Sequence, residues 1–175
     1  MAGVRFLTIL RNKFGLLALC AFVLTVSGCY HMRFTPAPLD TVEFVVPKPK
    51  EDLFSRAEGL LADDGFSVVR RDPDAGMIET DYHFFYKETG AQQPIEGRDY
   101  YYRLRVRLED APGGTRVRVE VAALELRTHY VYDENGGINQ LTKRYPYENY
   151  PSMFDLTLVS RELRRVGQIF RRSLL

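Results

Sequence analysis

From Tyr100 to Thr128 the chain alternates apolar and polar residues on both sides of one turn, and no other stretch limits the fold as much. Tyr100, Tyr102, Leu104, Val106 and Leu108 fall on one side of an extended segment, with Arg103, Arg105 and Arg107 on the other. Successive side chains of a strand point to opposite faces, so one face is apolar and one bears arginine. After a turn at Glu109–Gly114, Thr115–Thr128 returns with Val117, Val119 and Val121 inward; the phase then moves to Leu124 and Leu126. A bulge at Ala122–Ala123 makes that shift without unburying a face. A two-residue period excludes a helix here, and an antiparallel sheet can leave its polar face wet.

The flanking segments supply the rest of a single domain. Thr41–Val46 is β-branched and aromatic, hence a first strand, stopped by Pro47 and Pro49; Pro49 suits the first turn of a helix. Glu51–Asp64 is predicted helical, with Leu53, Phe54, Ala57, Leu60 and Leu61 on one face. Gly65 suits its left-handed C-terminal cap. Gly59, unfavourable inside a helix, is expected to owe its place to close packing on a sheet. Phe66–Arg71 and Met77–Tyr86 read as strands joined by the turn Asp72–Gly76, and Lys87–Asp99 as a polar loop. Tyr130–Asp133 extends the returning strand, Asp133–Gly137 is a turn, and Gln140–Pro151 has no clear period. Ser152 opens a last helix with Asp155 in a capping-box place. Its stripe is Leu156, Val159, Leu163, Val166 and Phe170; Arg161, Arg164, Arg165, Arg171 and Arg172 lie mostly off the stripe and toward the C-terminal end, which favours cations. The expected architecture is α+β: an antiparallel sheet of about five strands with two helices packed on one face.

The start of the chain is of another kind. Arg5, Arg11 and Lys13 precede an apolar run from Leu16 to Val26, with no acid before Cys29. This is the charged, apolar, small-residue order of an export signal. The run is shorter than the roughly 20 residues that cross a bilayer as a helix. Ser27-Gly28 directly before Cys29 resembles the lipobox of bacterial lipoproteins. The resemblance implies cleavage between Gly28 and Cys29, a diacylglycerol thioether on Cys29 and acylation of the new N-terminus. Three acyl chains hold a protein on a membrane where one does not. With Tyr30 and not an acid after the cysteine, the resemblance further implies release to the outer membrane, facing the periplasm. Residues 29–40, with Pro36 and Pro38, then form a lipidated tether, and 41–175 one domain.

Residues 29–175 carry 21 basic and 23 acidic side chains, which gives no electrostatic case for nucleic acid. Cys20 leaves with the signal, so Cys29 has no partner for an internal disulfide, and stability must come from the core. Its acylation also removes thiol catalysis and Cys-based metal sites. Beyond His31 in the tether, the histidines are His83 and His129, on strands where they could meet across the sheet; zinc needs three or four ligands. Neither G-x-S-x-G nor S-x-x-K occurs, and no glycine-rich phosphate loop is present. Glu79 with Asp81, or Glu120 with Glu125, are carboxylate pairs that read as solvent-facing strand positions. No enzyme activity, cofactor or metal is expected.

Two features suit binding. Arg103, Arg105, Arg107, Arg116 and Arg118 share one face, and like charges opposite one another need partners; Glu109, Glu120 and loop acids can supply them. Otherwise this face would recognise an acidic protein surface or lipid phosphates. The second feature is 11 tyrosines without a tryptophan. Tyr101, Tyr130, Tyr132, Tyr145, Tyr147 and Tyr150 fall on outward or loop positions, and tyrosine is enriched at interfaces. Arg103, Arg105, Arg107, Tyr145, Tyr147 and Tyr150 are the candidate partner-binding residues.

The stretch Leu53–Thr80 runs as helix, then G-F-S-V-V, then R-R-D-P-D-A-G-M-I-E-T-D. It resembles the repeated domain of the BamC family of outer-membrane assembly lipoproteins. The resemblance implies a helix-grip-like α+β fold and an accessory role in β-barrel insertion. Its matching residues, Gly65, Asp72, Pro73, Gly76, Ile78 and Thr80, are turn and core positions. That family has a long N-terminal arm and two domains; with a short tether and one domain here, its partner contact is not carried over. The expectation is an outer-membrane-anchored periplasmic lipoprotein, a non-enzymatic accessory or structural factor with an envelope protein partner. One alternative is a carrier of lipid or a small ligand, held in a cleft between sheet and helix. Another is a lipopolysaccharide-assembly lipoprotein, to which the Cys-Tyr-His opening is similar.

Overall fold

The computed structural model describes residues 36–89, 95–133 and 138–175. The segment read as an export signal, Gly28, Cys29, His31 and residues 134–137, where a turn was expected, lie outside the described residues, as do the side chains of Tyr130 and Tyr132. In chain order the elements are β1 (Thr41–Val46), α1 (Lys50–Asp63), β2 (Val68–Asp72), β3 (Met77–Thr80), β4 (His83–Thr89), β5 (Ile95–Ala111), β6 (Gly114–Asp133), β7 (Ile138–Pro146) and α2 (Leu156–Leu174). A 3-10 turn at Pro151–Met153 precedes α2.

The alternating segments form the central hairpin of β5 and β6, closing at Ala111 opposite Gly114. Arg103 faces Ala123 while Leu104 faces Val121, so Ala122 is the extra residue of a bulge where the apolar phase shifts. The strand is longer at both ends than Tyr100–Leu108. Strand pairing continues through Asp99–Arg127 and Gly97–His129, into what reads from composition as a loop.

The architecture is α+β, an antiparallel sheet with two helices on one face, and it has seven strands among the described residues where about five were expected. One edge of β5 pairs with both β3 and β4, and one edge of β6 with both β1 and β7. The segment Met77–Tyr86 divides at Asp81–Tyr82, and Thr80 holds the division together. Its buried Oγ1 accepts from Leu104 N at 2.9 Å, its carbonyl accepts from Arg103 Nε at 3.0 Å, and Asp81 N donates to Ser67 O at 2.7 Å. Backbone groups left by the broken ladder are thus satisfied by a side chain. The other added strand, β7, begins at Ile138 and runs into the aperiodic Gln140–Pro151.

Both helices cover the face of Tyr102, Leu104, Val106, Val117, Val119, Leu124 and Leu126. From α1 come Leu53, Phe54, Ala57 and Leu61, and from α2 Val159, Leu163, Val166, Phe170 and Leu174. The N-cap of α2 is Asp155, whose carboxylate accepts from Thr157 N at 2.9 Å; Ser152 belongs to the 3-10 turn. Gly65 has φ +84°, as its capping place requires. Gly76 (φ +62°) abuts Leu108 O and has no room for a side chain. Gly59 is exposed with nothing within 4 Å of an added Cβ, so close packing does not explain it. The close approach is at Gly167, where such an atom would stand 2.5 Å from Val42 Cγ1. There α2 crosses β1 nearly backbone to side chain.

Candidate functional site: the open face of the sheet

The face of the sheet turned away from the helices collects the odd-numbered residues of β5 and, past the bulge, of β6. Arg103, Arg105, Arg107, Arg116 and Arg118 all lie on it, as their alternation requires. Strand register sets acids beside them. Arg105 donates from Nε to Glu79 Oε1 at 2.6 Å and from Nη1 to Glu120 Oε1 at 3.2 Å. Arg107 Nε stands 3.3 Å from the same Glu120 oxygen. Arg118 donates twice to Glu43 Oε2, at 3.1 and 2.9 Å, and Arg116 Nε lies 3.2 Å from Glu43 Oε1. Arg118 and Arg107 face each other directly, an unfavourable pairing that Glu120, diagonal to Arg107, and Glu43, directly opposite Arg118, offset. The bond to Glu79, then that to Glu120, pushes the Arg105 guanidinium further into its charged form. These arginines are therefore already engaged. Glu120 and Glu109 are among the acids, as expected; Glu43 and Glu79, from neighbouring strands, are the ones sequence alone did not bring forward.

The other half of the open face is aromatic. Arg103 donates to Thr80 O, and its guanidinium lies 5.8 Å from the Tyr82 ring. Arg127 stacks at 3.8 Å on Tyr101, whose other neighbour is Phe84, ring centroids 5.6 Å apart. Glu125, buried, accepts from Arg127 Nε at 2.6 Å and Arg144 Nε at 3.0 Å. Burial, with Glu125 nearby, raises the Tyr82 phenol above its ordinary pKa. Phe84 is 44% exposed at the edge of this group. Aromatic rings braced by arginine, with an exposed phenylalanine, are the composition of protein-binding hot spots. Tyr101 was legible by alternation, which also places Arg127 on the returning strand although it was not singled out; Tyr82 and Phe84 were not legible, because they stand in and just after the break between β3 and β4, and neither was Arg144, on the unforeseen β7.

The tyrosines near the last helix are elsewhere. Tyr145 pairs with Leu126, which places it on the helix side of the sheet, and its ring meets Tyr150 edge to face at 5.1 Å. Tyr150 is exposed. Tyr147 is not a surface residue: it is 4% exposed, its ring packs on Phe154, and its hydroxyl donates to Ala37 O at 2.9 Å. The reason is local. Tyr147 N bonds Leu124 O just beyond β7, which turns the side chain under the start of α2. The arginine and tyrosine candidates thus lie on opposite faces and do not form one surface.

His83 and His129 also lie on opposite faces and do not meet. His83 packs between Phe66 and Tyr102 on the helix side. His129 bridges Asp99 Oδ2 at 2.9 Å and Thr142 Oγ1 at 3.0 Å on the open side. A carboxylate only accepts, so Nε2 is the nitrogen that donates to Asp99, while the Thr142 hydroxyl can donate to or accept from Nδ1. None of the described cavities adjoins this Asp–His–Thr row. It ties β5, β6 and β7 together across the sheet. No group of three His, Cys, Asp or Glu among the described residues is placed to hold a metal ion. Among them, too, no helix is long and apolar enough to cross a membrane.

No family model matches the chain, and no curated protein matches it in sequence.

Proposed function

We propose that this is a lipid-anchored protein of the bacterial envelope, held through Cys29 at the periplasmic face of the outer membrane. It works by binding a protein partner, not by catalysis, as an accessory or structural factor in outer-membrane protein assembly. The observation that carries the binding role is the Phe84–Tyr101–Arg127–Tyr82 group on a sheet face that neither helix covers. The location rests on the leader and on Ser27-Gly28-Cys29. The carrier alternative needs a cleft between helix and sheet. That space holds Leu53, Leu61, Tyr102, Leu163 and Phe170, each almost wholly buried, which favours contact over carriage.

The test is affinity purification of the exported protein from crosslinked envelopes, beside a Phe84→Ala/Tyr101→Ala variant. Barrel-assembly components should come down with the unaltered protein and be lost with the variant. Equal recovery from both would reject the patch. Lipopolysaccharide-transport components in their place would move the protein to that pathway, and lipid without a protein partner would restore the carrier reading.

A further inference from the structure

Positive charge in this protein is concentrated on one element. Helix α2 holds five arginines and one acid, Glu162, while the rest of residues 29–175 holds 16 basic and 22 acidic side chains. The single acid is spent: Glu162 accepts from the Tyr102 hydroxyl and from Arg165, and Arg165 also grips Asp64 at 2.7 and 2.9 Å. The outward face of α2 keeps Arg161, Arg164 and Arg172, all exposed. Arg164 bonds only Ser160 O of its own helix, and Arg161 and Arg172 have no partner among the described residues. This contrasts with the open sheet face, where arginines are matched by acids.

The chain arrives beside this helix. Pro38, Leu39 and Asp40 form one wall of a groove of about 110 Å³ whose other wall is Leu156, Val159, Ser160 and Leu163. A second groove runs from Asp40, Thr41 and Val42 to Thr157 and Arg164, so Arg164 stands at the rim where the tether joins the domain. Cys29 is seven residues before Pro36, a reach of no more than about 25 Å. The helix is 19 residues, about 28 Å long. An acyl anchor at Cys29 therefore cannot carry the domain farther from the bilayer than about the length of α2 itself.

We infer that the exposed face of α2, through Arg161, Arg164 and Arg172, lies against an anionic phospholipid surface next to the anchor. The inference rests on the reading of Cys29 as lipidated. A short tether keeps these arginines within the surface potential of the bilayer, where each basic side chain adds to binding. The guanidinium forks suit phosphate geometry. In this pose the open sheet face points away from the membrane.

The experiment uses the exported protein purified from membranes and reconstituted into vesicles of phosphatidylcholine alone or of a phosphatidylglycerol-rich mixture. Arginine modification by phenylglyoxal is followed by peptide mass spectrometry, with exposed Arg70 on β2 as internal control. Arg161, Arg164 and Arg172 should react about fivefold more slowly in the anionic vesicles, with Arg70 unchanged and the difference removed by high salt. Equal rates in the two vesicles would overturn the inference. Protection in both, or before any vesicle is added, would also overturn it and indicate an acidic protein or a second copy on this face. The same spectra report the mass of the Cys29 peptide: without lipid there, the anchor reading fails and takes this inference with it, whereas lipid with equal rates removes this inference alone.

Discussion

Two glycines sit inside helices here, and they answer to opposite physics. Gly59 on α1 has open space where a side chain would be, so it only loosens the helix. Gly59→Ala should stabilise the protein by up to about 1 kcal/mol. Gly167 on α2 has Val42 in that space, and Gly167→Ala should destabilise by about 1–3 kcal/mol through overpacking. Urea unfolding of both variants checks the pair, and a reversed sign in either would contradict the helix–sheet spacing. Tyr102 gives a prediction in pH. Burial, reinforced by Glu162 to which its hydroxyl donates, pushes this phenol far above its ordinary value. With the folded pKa above the unfolded one, its contribution is whole below about pH 10 and is lost as pH rises further, because the unfolded phenol ionises first. Alkaline titration by phenolate absorbance should show Tyr102→Phe lacking one late-titrating group. If that group titrates normally in the unaltered protein, the buried hydrogen bond is wrong.

The break between β3 and β4 depends on one hydroxyl. Thr80→Val keeps the shape but leaves the Leu104 amide without its acceptor, in a buried place. The expected loss is about 1–3 kcal/mol, with Leu104 N–H exchanging faster than its neighbours; unchanged exchange there would mean the ladder closes without Thr80. That break also shows what sequence could and could not reveal. The β5–β6 pair was legible, bulge included, because both strands bury one face along Tyr100–Leu108 and Val117–Leu126 and so must alternate. The turn Asp72–Gly76 was legible from its chemistry, and Asp72 Oδ1 does accept from Ala75 N at 3.0 Å. Strand β7 was not, because Leu141, Thr142, Lys143 and Arg144 are all exposed and an unburied strand has no reason to alternate. The end of β4 beyond Tyr86 was hidden for the same reason, since none of Lys87, Glu88 and Thr89 is buried. Asp155 was seen as part of a cap but given the wrong post, since Ser152 before it is an equally good capping residue and only the 3-10 turn separates them. Of the candidate site, the arginine positions followed from alternation, while two of their acids, Glu43 and Glu79, come from β1 and β3, whose register no local pattern fixes.

The protein has three unlike surfaces: a neutralised ladder, an aromatic patch and a basic helix. The binding roles proposed for the aromatic patch and the basic helix depend on the domain being fixed in place, which makes Cys29 the residue on which the proposal turns. Intact-mass measurement of the exported protein should show loss of residues 1–28 and gain of lipid, and Cys29→Ser should keep the leader and gain none. A trimmed but unmodified Cys29 would mean a freely diffusing periplasmic protein. The position of the tether has a mechanical consequence. Strand β1 pairs with residues 115–120 of β6 and β7 with residues 125–133, and the chain comes in between them at Asp40. It is thus attached near the middle of the sheet's long edge and not at a tip. A body pinned at one end swings like a flag, and any load at its far end works through the full lever. Pinned at mid-length, as the anchor proposed at Cys29 would pin it, the domain would behave as a balance beam: the two arms would counterweigh each other, and a pull on either would be met as a small tilt about the pin.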